Sequence, residues 1–248
     1  MEVKLGILTA LWGRPKLTVL FLKRLQALSA KFGITCVAVG SEGKPLEDRC
    51  REYGVEYIDH PNKPLGRKWN YGLQVFKNFP EVTHVMILGS DDFVSDDFVE
   101  YIIGFMTKHE TDFFGCVDVY MFGANPKRRG FGQFYYFTYS GYLVGPGRCY
   151  SRKAIDLLDW QIWGDMRNFG LDGSAVKRIK TVYPQIQKYS FKMQREGLFM
   201  VDIKTQGNIS TIPGAAHKIE GFVERLREEF PEAEAEGIIK LIKEQNAI

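Results

Sequence analysis

The chain has 248 residues, 45% of them hydrophobic and 14% aromatic, enough apolar matter to bury a full core and too much for a disordered chain. Its 33 basic and 30 acidic residues leave a net charge of only +3, so charge alone does not mark a nucleic-acid binder, although local patches stay open. Cys36, Cys50, Cys116 and Cys149 form no Cys-x-x-Cys pair, which argues against a zinc ribbon or a disulfide framework and for reduced thiols. The start, Met1-Glu2-Val3-Lys4-Leu5, lacks the pattern of a signal peptide, and no apolar run approaches the roughly 18 residues that span a bilayer. A soluble, cytoplasmic protein is the expectation.

Val3 to Ala10 predicts a strand, and after Arg14-Pro15 the apolar positions Leu17, Leu20, Phe21, Leu25 and Leu28 follow the helical period. Ile34 to Val39 reads as a second strand ending in the loop Gly40-Ser41-Glu42-Gly43, followed by a helix near Pro45 to Tyr53 and a short strand, Val55 to Ile58. Gly66 to Phe79 predicts a helix, His84 to Leu88 a buried strand, and Ser95 an N-cap for a helix reaching Lys108. Asp96 and Asp97 then sit in its first turn, where the macrodipole favours acids. This alternation predicts an α/β fold with a mainly parallel central sheet flanked by helices.

From Tyr120 to Tyr150 the chain turns rich in Gly and aromatics, with strand-like runs at Phe134 to Thr138 and Tyr142-Leu143-Val144. Helices return at Ser151 to Leu158 and Asp172 to Ile179, then a strand, Phe199 to Ile203, precedes a loop from Asn208 to His217. Two charged amphipathic helices, Glu220 to Phe230 and Glu232 to Gln245, end the chain as a packing appendage or an oligomer contact. The expected organisation is one domain over 1–217, with a nucleotide-binding half at 1–118 and an acceptor half at 119–217, and a C-terminal helical appendage at 218–248.

The run His84-Val85-Met86-Ile87-Leu88-Gly89-Ser90-Asp91-Asp92 carries an apolar strand to two adjacent carboxylates. In open α/β sheets ligands bind at that strand edge, and paired Asp side chains suit Mg2+ or Mn2+ holding a diphosphate; the same pair also suits a plain turn. No Gly-x-Gly-x-x-Gly follows the first strand, and no P-loop or His-Glu-x-x-His is present, which excludes the usual nicotinamide, P-loop and zincin chemistries.

Gly66-Arg67-Lys68-Trp69-Asn70-Tyr71-Gly72-Leu73 followed by Leu88-Gly89-Ser90-Asp91-Asp92-Phe93 resembles the GT-A fold glycosyltransferases of the family-2 type, over residues 3 to 217. Arg67, Asn70, Asp91 and Asp92 match that pattern; Gly89 and Ser90 take its first two places, so the leading Asp that contacts the donor ribose is missing. Asn168-Phe169-Gly170-Leu171-Asp172-Gly173 resembles the family's Glu-Asp segment, with the Asp alone retained, and His217 resembles its late metal-binding histidine. The resemblance implies a Mn2+- or Mg2+-dependent transfer of a sugar from a nucleotide sugar, a UDP-sugar first of all, to a hydroxyl. Asp91, Asp92 and His217 would hold the metal. Thr9, Trp12 and Ser41 would line the nucleoside pocket, with Arg67, Asn70, Ser90 and Asp91 toward the donor phosphates and sugar. Asp172 would be the general base of an inverting displacement; as an ordinary helix cap it would leave stereochemistry open.

Asn125-Pro126-Lys127-Arg128-Arg129-Gly130-Phe131 interleaves cations with aromatics. Lys127, Arg128 and Arg129 could contact phosphates of an acceptor such as hydroxymethylated DNA, as in phage-type DNA glycosyltransferases, or form an exposed basic turn. Trp163 suits stacking on a saccharide acceptor or burial in a core. A nucleotidyltransferase of the same fold and a noncatalytic sugar- or nucleotide-binding module are the alternatives; the former would want a Gly-rich, Arg- or Lys-bearing loop directly after strand 1, which is not evident in the sequence.

Overall fold

A computed structural model describes residues 2–125, 127–128, 130–139, 143–205, 208 and 211–246. In chain order the elements are β1 (Leu5–Ala10), α1 (Pro15–Phe32), β2 (Thr35–Gly40), α2 (Lys44–Glu52), β3 (Glu56–Asp59), α3 (Leu65–Gln74) with a 3-10 turn at Val75–Asn78, β4 (His84–Gly89), β5 (Asp92–Val94) and α4 (Asp96–Lys108). There follow β6 (Phe113–Cys116), β7 (Asp118–Gly123), β8 (Phe134–Thr138), β9 (Arg148–Ser151), α5 (Arg152–Leu157), α6 (Leu171–Val182), β10 (Lys188–Phe191), β11 (Met200–Lys204), β12 (His217–Ile219), α7 (Phe222–Glu229) and α8 (Glu232–Asn246). Among the described residues no helix is long and apolar enough to cross a membrane.

The helices form where the sequence pattern asks for them. In α1, Pro15 sits at the start, Leu17, Phe21, Leu22, Leu25 and Leu28 are buried, and Gly33 ends the helix at φ 65° with its N–H on the Ser29 carbonyl. Each of those side chains contributes roughly 1.5–3 kcal/mol by leaving water, and Gly33 tolerates the left-handed turn because it has no Cβ. Ser95 caps α4 as expected, its Oγ accepting from the Phe98 N–H at 3.2 Å.

The sheet departs from expectation. The larger sheet runs β10-β6-β9-β4-β1-β2-β3, and its block β4-β1-β2-β3 is parallel. β10 also pairs parallel with β6, but β9 inserts antiparallel to both β4 and β6, which makes the sheet mixed. A second sheet, β12-β8-β7-β11-β5, is antiparallel except for the β7–β11 pair. The expected halves interleave: β5 joins the second sheet while β9 and β10 join the first. Of the run Tyr142-Leu143-Val144, Tyr142 lies outside the described residues, and Leu143 and Val144 are buried without joining a strand.

Both faces of the larger sheet are covered. Along β1, Leu5 and Ile7 enter one apolar cluster with α1 and α4, while Leu8 enters another with Trp69, Leu73 and Phe76, as a period of two demands. The C-terminal helices share this core: Phe222, Phe230, Ile238 and Ile242 join the first cluster. Phe222 stacks on Phe122 with centroids 4.0 Å apart. Arg24, on α1, is fully buried; its Nε donates to the Val94 carbonyl at 2.8 Å and its guanidinium pairs with Asp96 at 2.5 Å and Glu234 at 3.5 Å. A buried cation with that many partners ties α8 to α1 and β5, because losing one partner would leave charge stranded in a poor dielectric.

Candidate functional site

The chain leaves the larger sheet at Gly89 and enters the second at Asp92, so Ser90 and Asp91 lie at the passage between sheets. At that passage opens a cavity of about 740 Å³, lined by the carboxyl ends of β1 and β4, the 62–69 segment, the loop 168–172, and Asp202, Lys204 and Asn208.

Its charged wall is built from both sheets. Asp92 on β5 stands opposite Asp202 on β11, and the Asp91 carbonyl accepts the Ile203 N–H at 2.9 Å. Arg14, from the loop after β1, places NH1 2.9 Å from Asp91 Oδ2 and NH2 2.7 Å from Ser90 Oγ. Asn208 donates to Asp91 Oδ2 and accepts from Arg14 NH1 at 3.2 Å. Lys204, 7% exposed, pairs with Asp202. Burial opposes charge on Asp91, but Arg14 and Lys204 together hold its pKa below the ordinary carboxylate value. Burial and the neighbouring Asp202 and Asp91 push Asp92 well up, while burial lifts Asp202 to about 6 against the pull of Lys204.

Gly89 explains the missing leading Asp. The Gly89 N–H donates to Asp92 Oδ2 at 2.6 Å, and a Cβ on Gly89 would lie 2.8 Å from Asp91 Oδ1 and from Asp92 Oδ2. The space a side chain would need is filled by the carboxylates themselves.

Across the cavity, Lys68 is fully buried on α3, its Nζ donating to the Leu11 carbonyl at 2.8 Å, Ser41 Oγ at 2.7 Å and Asn62 Oδ1 at 3.1 Å. Burial lowers its pKa to about 8. This ammonium ties the loops after β1 and β2 to α3. Trp12, 53% exposed, stands over the opening. Gly66 lets α3 close on the 164–168 segment: its N–H bonds the Arg167 carbonyl at 2.8 Å, and a Cβ there would fall 2.0 Å from the Gly164 carbonyl oxygen.

Asp172 lines the cavity, but Gly170 caps α6 and Asp172 lies in the first turn, correcting the expectation of an N-cap. Its side chain is 61% exposed and pairs with Arg148 NH1 at 3.0 Å, while Arg148 also donates to the carbonyls of Val144 at 2.7 Å and Leu143 at 2.5 Å. Trp163 is buried in the wall beside Trp69, centroids 5.5 Å apart, so its face is shared with the core.

Several expected site residues stand elsewhere. Arg67 is not in the cavity lining; it reaches Asp165 at 3.5 Å and Met166 Sδ, because the next residue, Lys68, takes the inward face of the helix. Asn70 is buried as a clamp, donating to the Trp163 carbonyl at 2.8 Å and Asp165 at 2.9 Å and accepting from the Trp163 N–H at 3.1 Å. Thr9 is buried in β1 with no hydrogen-bond partner for its hydroxyl among the described residues, and Ser41 acts through Lys68 rather than as lining. His217 is exposed on β12, paired with Tyr136 and outside the cavity lining. Lys127 and Arg128 follow a turn in which Asn125 Oδ1 accepts the Lys127 N–H at 3.0 Å, also outside the lining, and Arg129 lies outside the described residues.

The residues do not fit the expected divalent ion. His217 does not join the acidic pair, the oxygens of Asp91 are taken by Arg14 and Asn208, and Asp202 is taken by Lys204. Among the described residues no group of three His, Cys, Asp or Glu side chains could hold a metal ion. Mg2+ and Mn2+ need several oxygens converging at short range.

Arg14, Lys68, Asp202 and Lys204 escaped sequence reasoning. Arg14 sits in the loop directly after β1, where a nucleotidyltransferase would want a cation. Val201-Asp202-Ile203-Lys204 alternates apolar with charged residues in a buried strand, a signal that both charges share one face.

No protein-family model matches the sequence, and no curated protein matches it. Solved structures do. TarS 1-349 of S. aureus in complex with UDP superposes with a TM-score of 0.57 at 13% identity over 82% of this chain, which spans 61% of that one. The same protein in complex with UDP-GlcNAc gives 0.55 at 12% identity over 94% of this chain and 69% of the other. TarS 1-349 alone gives 0.51 at 14% identity, covering 98% and 71%. At such identities the likeness establishes the fold alone: a mixed α/β arrangement of two sheets like that of TarS.

Proposed function

We propose that this chain is a GT-A type glycosyltransferase that binds a UDP-sugar in the cavity at the ends of β1 and β4 and transfers the sugar to an acceptor hydroxyl. The observation that carries this is the cavity itself, which joins a charged wall suited to a diphosphate with aromatic side chains suited to a base and a sugar, in a fold like that of structures holding UDP and UDP-GlcNAc. Trp12 offers a face for the base, and the ammonium of Lys68 fixes the loops on which the nucleoside would rest.

Asp172 is the general base. It takes the proton of the acceptor hydroxyl as that oxygen attacks the anomeric carbon; the bond from that carbon to the diphosphate oxygen breaks and UDP leaves, which inverts the centre. Its exposed carboxylate lines the same cavity as Asp91, with Arg148 steadying it. A saccharide hydroxyl is favoured as acceptor over hydroxymethylated DNA, since Lys127 and Arg128 are outside the lining while Phe169, 75% exposed, belongs to it. Arg14, after β1, keeps the nucleotidyltransferase alternative in view. Titration of UDP, UDP-GlcNAc and UTP by calorimetry, with UDP release from UDP-GlcNAc measured in water, separates the readings. UDP and UDP-GlcNAc bind and hydrolysis is slow but measurable if the proposal holds; pyrophosphate release from UTP with a sugar phosphate, or no affinity for any of the three, defeats it.

A further inference from the structure

We infer that diphosphate binding in this cavity is independent of divalent metal, with Arg14 and Lys204 supplying the positive charge that an ion would otherwise bring. The inference rests on the nucleotide-sugar reading and concerns how the site meets the donor's phosphates.

Two fixed cations stand where the ion was expected. Arg14 NH1 is 2.9 Å from Asp91 Oδ2 and NH2 is 2.7 Å from Ser90 Oγ, so the guanidinium fork is already aimed at the end of β4. Lys204 comes from the other sheet, is buried, and pairs with Asp202 directly across from Asp92. Both cations line the cavity, as do Lys63 and Lys68. A divalent ion seated on Asp91 would have to displace Arg14 from the same carboxylate oxygen and would lie close to Lys204, with like charges repelling strongly where water is scarce. A diphosphate, by contrast, brings charge of the sign those cations want, and the planar fork of Arg suits its oxygens two at a time. As the bond to the sugar breaks, the charge gathering on the leaving diphosphate would be met by Arg14 and Lys204 without any ion moving. Asp91 and Asp202 then serve as the holders of these cations until the diphosphate takes them over.

The test is calorimetry of UDP with the full chain, in excess EDTA and separately in Mn2+, together with a titration of Mn2+ alone. The expected result is a UDP affinity equal in the two buffers within a factor of about two and no cavity-dependent heat from Mn2+. Arg14→Gln and Lys204→Met should each weaken UDP on the order of tenfold or more in EDTA, the scale of one charge-assisted contact, while Arg14→Lys and Lys204→Arg retain part of the affinity. Because Lys204→Met strands Asp202, its melting temperature is measured alongside, and Arg14→Gln carries the test if it unfolds. UDP binding that appears only with Mn2+, or that survives Arg14→Gln in EDTA unchanged, overturns the inference and leaves the glycosyltransferase reading standing. No UDP binding in either buffer overturns both.

Discussion

Replacing Asp172 by Asn separates the catalytic role from the structural one, because the structure sets the two magnitudes far apart. The side chain is 61% exposed and pairs with Arg148 at 3.0 Å. A fully exposed pair stabilises by about 0.2–1 kcal/mol and this one, with Arg148 only 4% exposed, by somewhat more, while an acid in the first turn of α6 adds roughly 0.3–1 kcal/mol through the macrodipole. Arg148 keeps its bonds to the Leu143 and Val144 carbonyls, and an Asn amide oxygen can still accept from it, so the buried guanidinium loses its counter-charge but keeps its acceptors. The stability loss is then about 1–2 kcal/mol, or roughly 2–8 °C in melting temperature for a chain of this size. Loss of a general base costs about 10²–10⁴ in rate. Asn keeps the size and polarity but accepts no proton from the attacking hydroxyl. UDP release from UDP-GlcNAc, with water as acceptor, should therefore fall in kcat by that factor while UDP affinity and melting temperature stay near the parent's. Hydrolysis within about threefold of the parent would show that Asp172 is not the base, and a drop in melting temperature beyond about 8 °C would show that its role is structural.

Lys68→Met tests the buried ammonium through pH. The folded pKa is lowered to about 8 from 10.5, so between those values the unfolded chain binds the extra proton and the parent gains stability as pH rises. Against Lys68→Met, denaturant unfolding at pH 7 and 9.5 should show the parent gaining about 2 kcal/mol relative to the variant; a constant difference would contradict burial as the cause. Gly66→Ala forces a Cβ into the Gly164 carbonyl and should cost on the order of 1–3 kcal/mol while weakening UDP through the displaced cavity wall. An unchanged melting temperature would mean that α3 and the 164–168 segment are not in contact.

The β-α order was legible up to β4 because those strands are apolar runs between amphipathic helices, and the helix starts at Pro15 and Ser95 fell where capping chemistry puts them. The mixed topology was not. β9 is four residues, Arg148–Ser151, behind a Gly-Pro-Gly turn, and β5 is three, Asp92–Val94; strands so short carry no period to read, and their partners are fixed only by tertiary pairing. In the site, the strand-end position of Asp91 and Asp92 could be read locally. Their neutralisation could not, because Arg14 and Lys204 reach them from opposite directions in sequence. Arg67 and Lys68 show the limit of motif matching: adjacent cations on a helix point about 100° apart, and only packing decides which faces inward.

The register of β5 on β11 decides the electrostatics of the cavity. Asp92 pairs with Asp202 and Phe93 with Val201, so the charged members fall on one face and the apolar members in the core. A slip of one residue would set Val201 or Ile203 across from Asp92 and turn Lys204 away from Asp91. Apolar burial of Phe93, Val94, Val201 and Ile203, all 1% exposed or less, therefore fixes where the charges stand. The strand that begins at Asp92 is held by hydrophobic packing, and that packing aims Lys204 and, through Asp91, Arg14 into the cavity. A charge cluster on a surface loop would relax around water; anchored between two packed sheets, these charges keep their places.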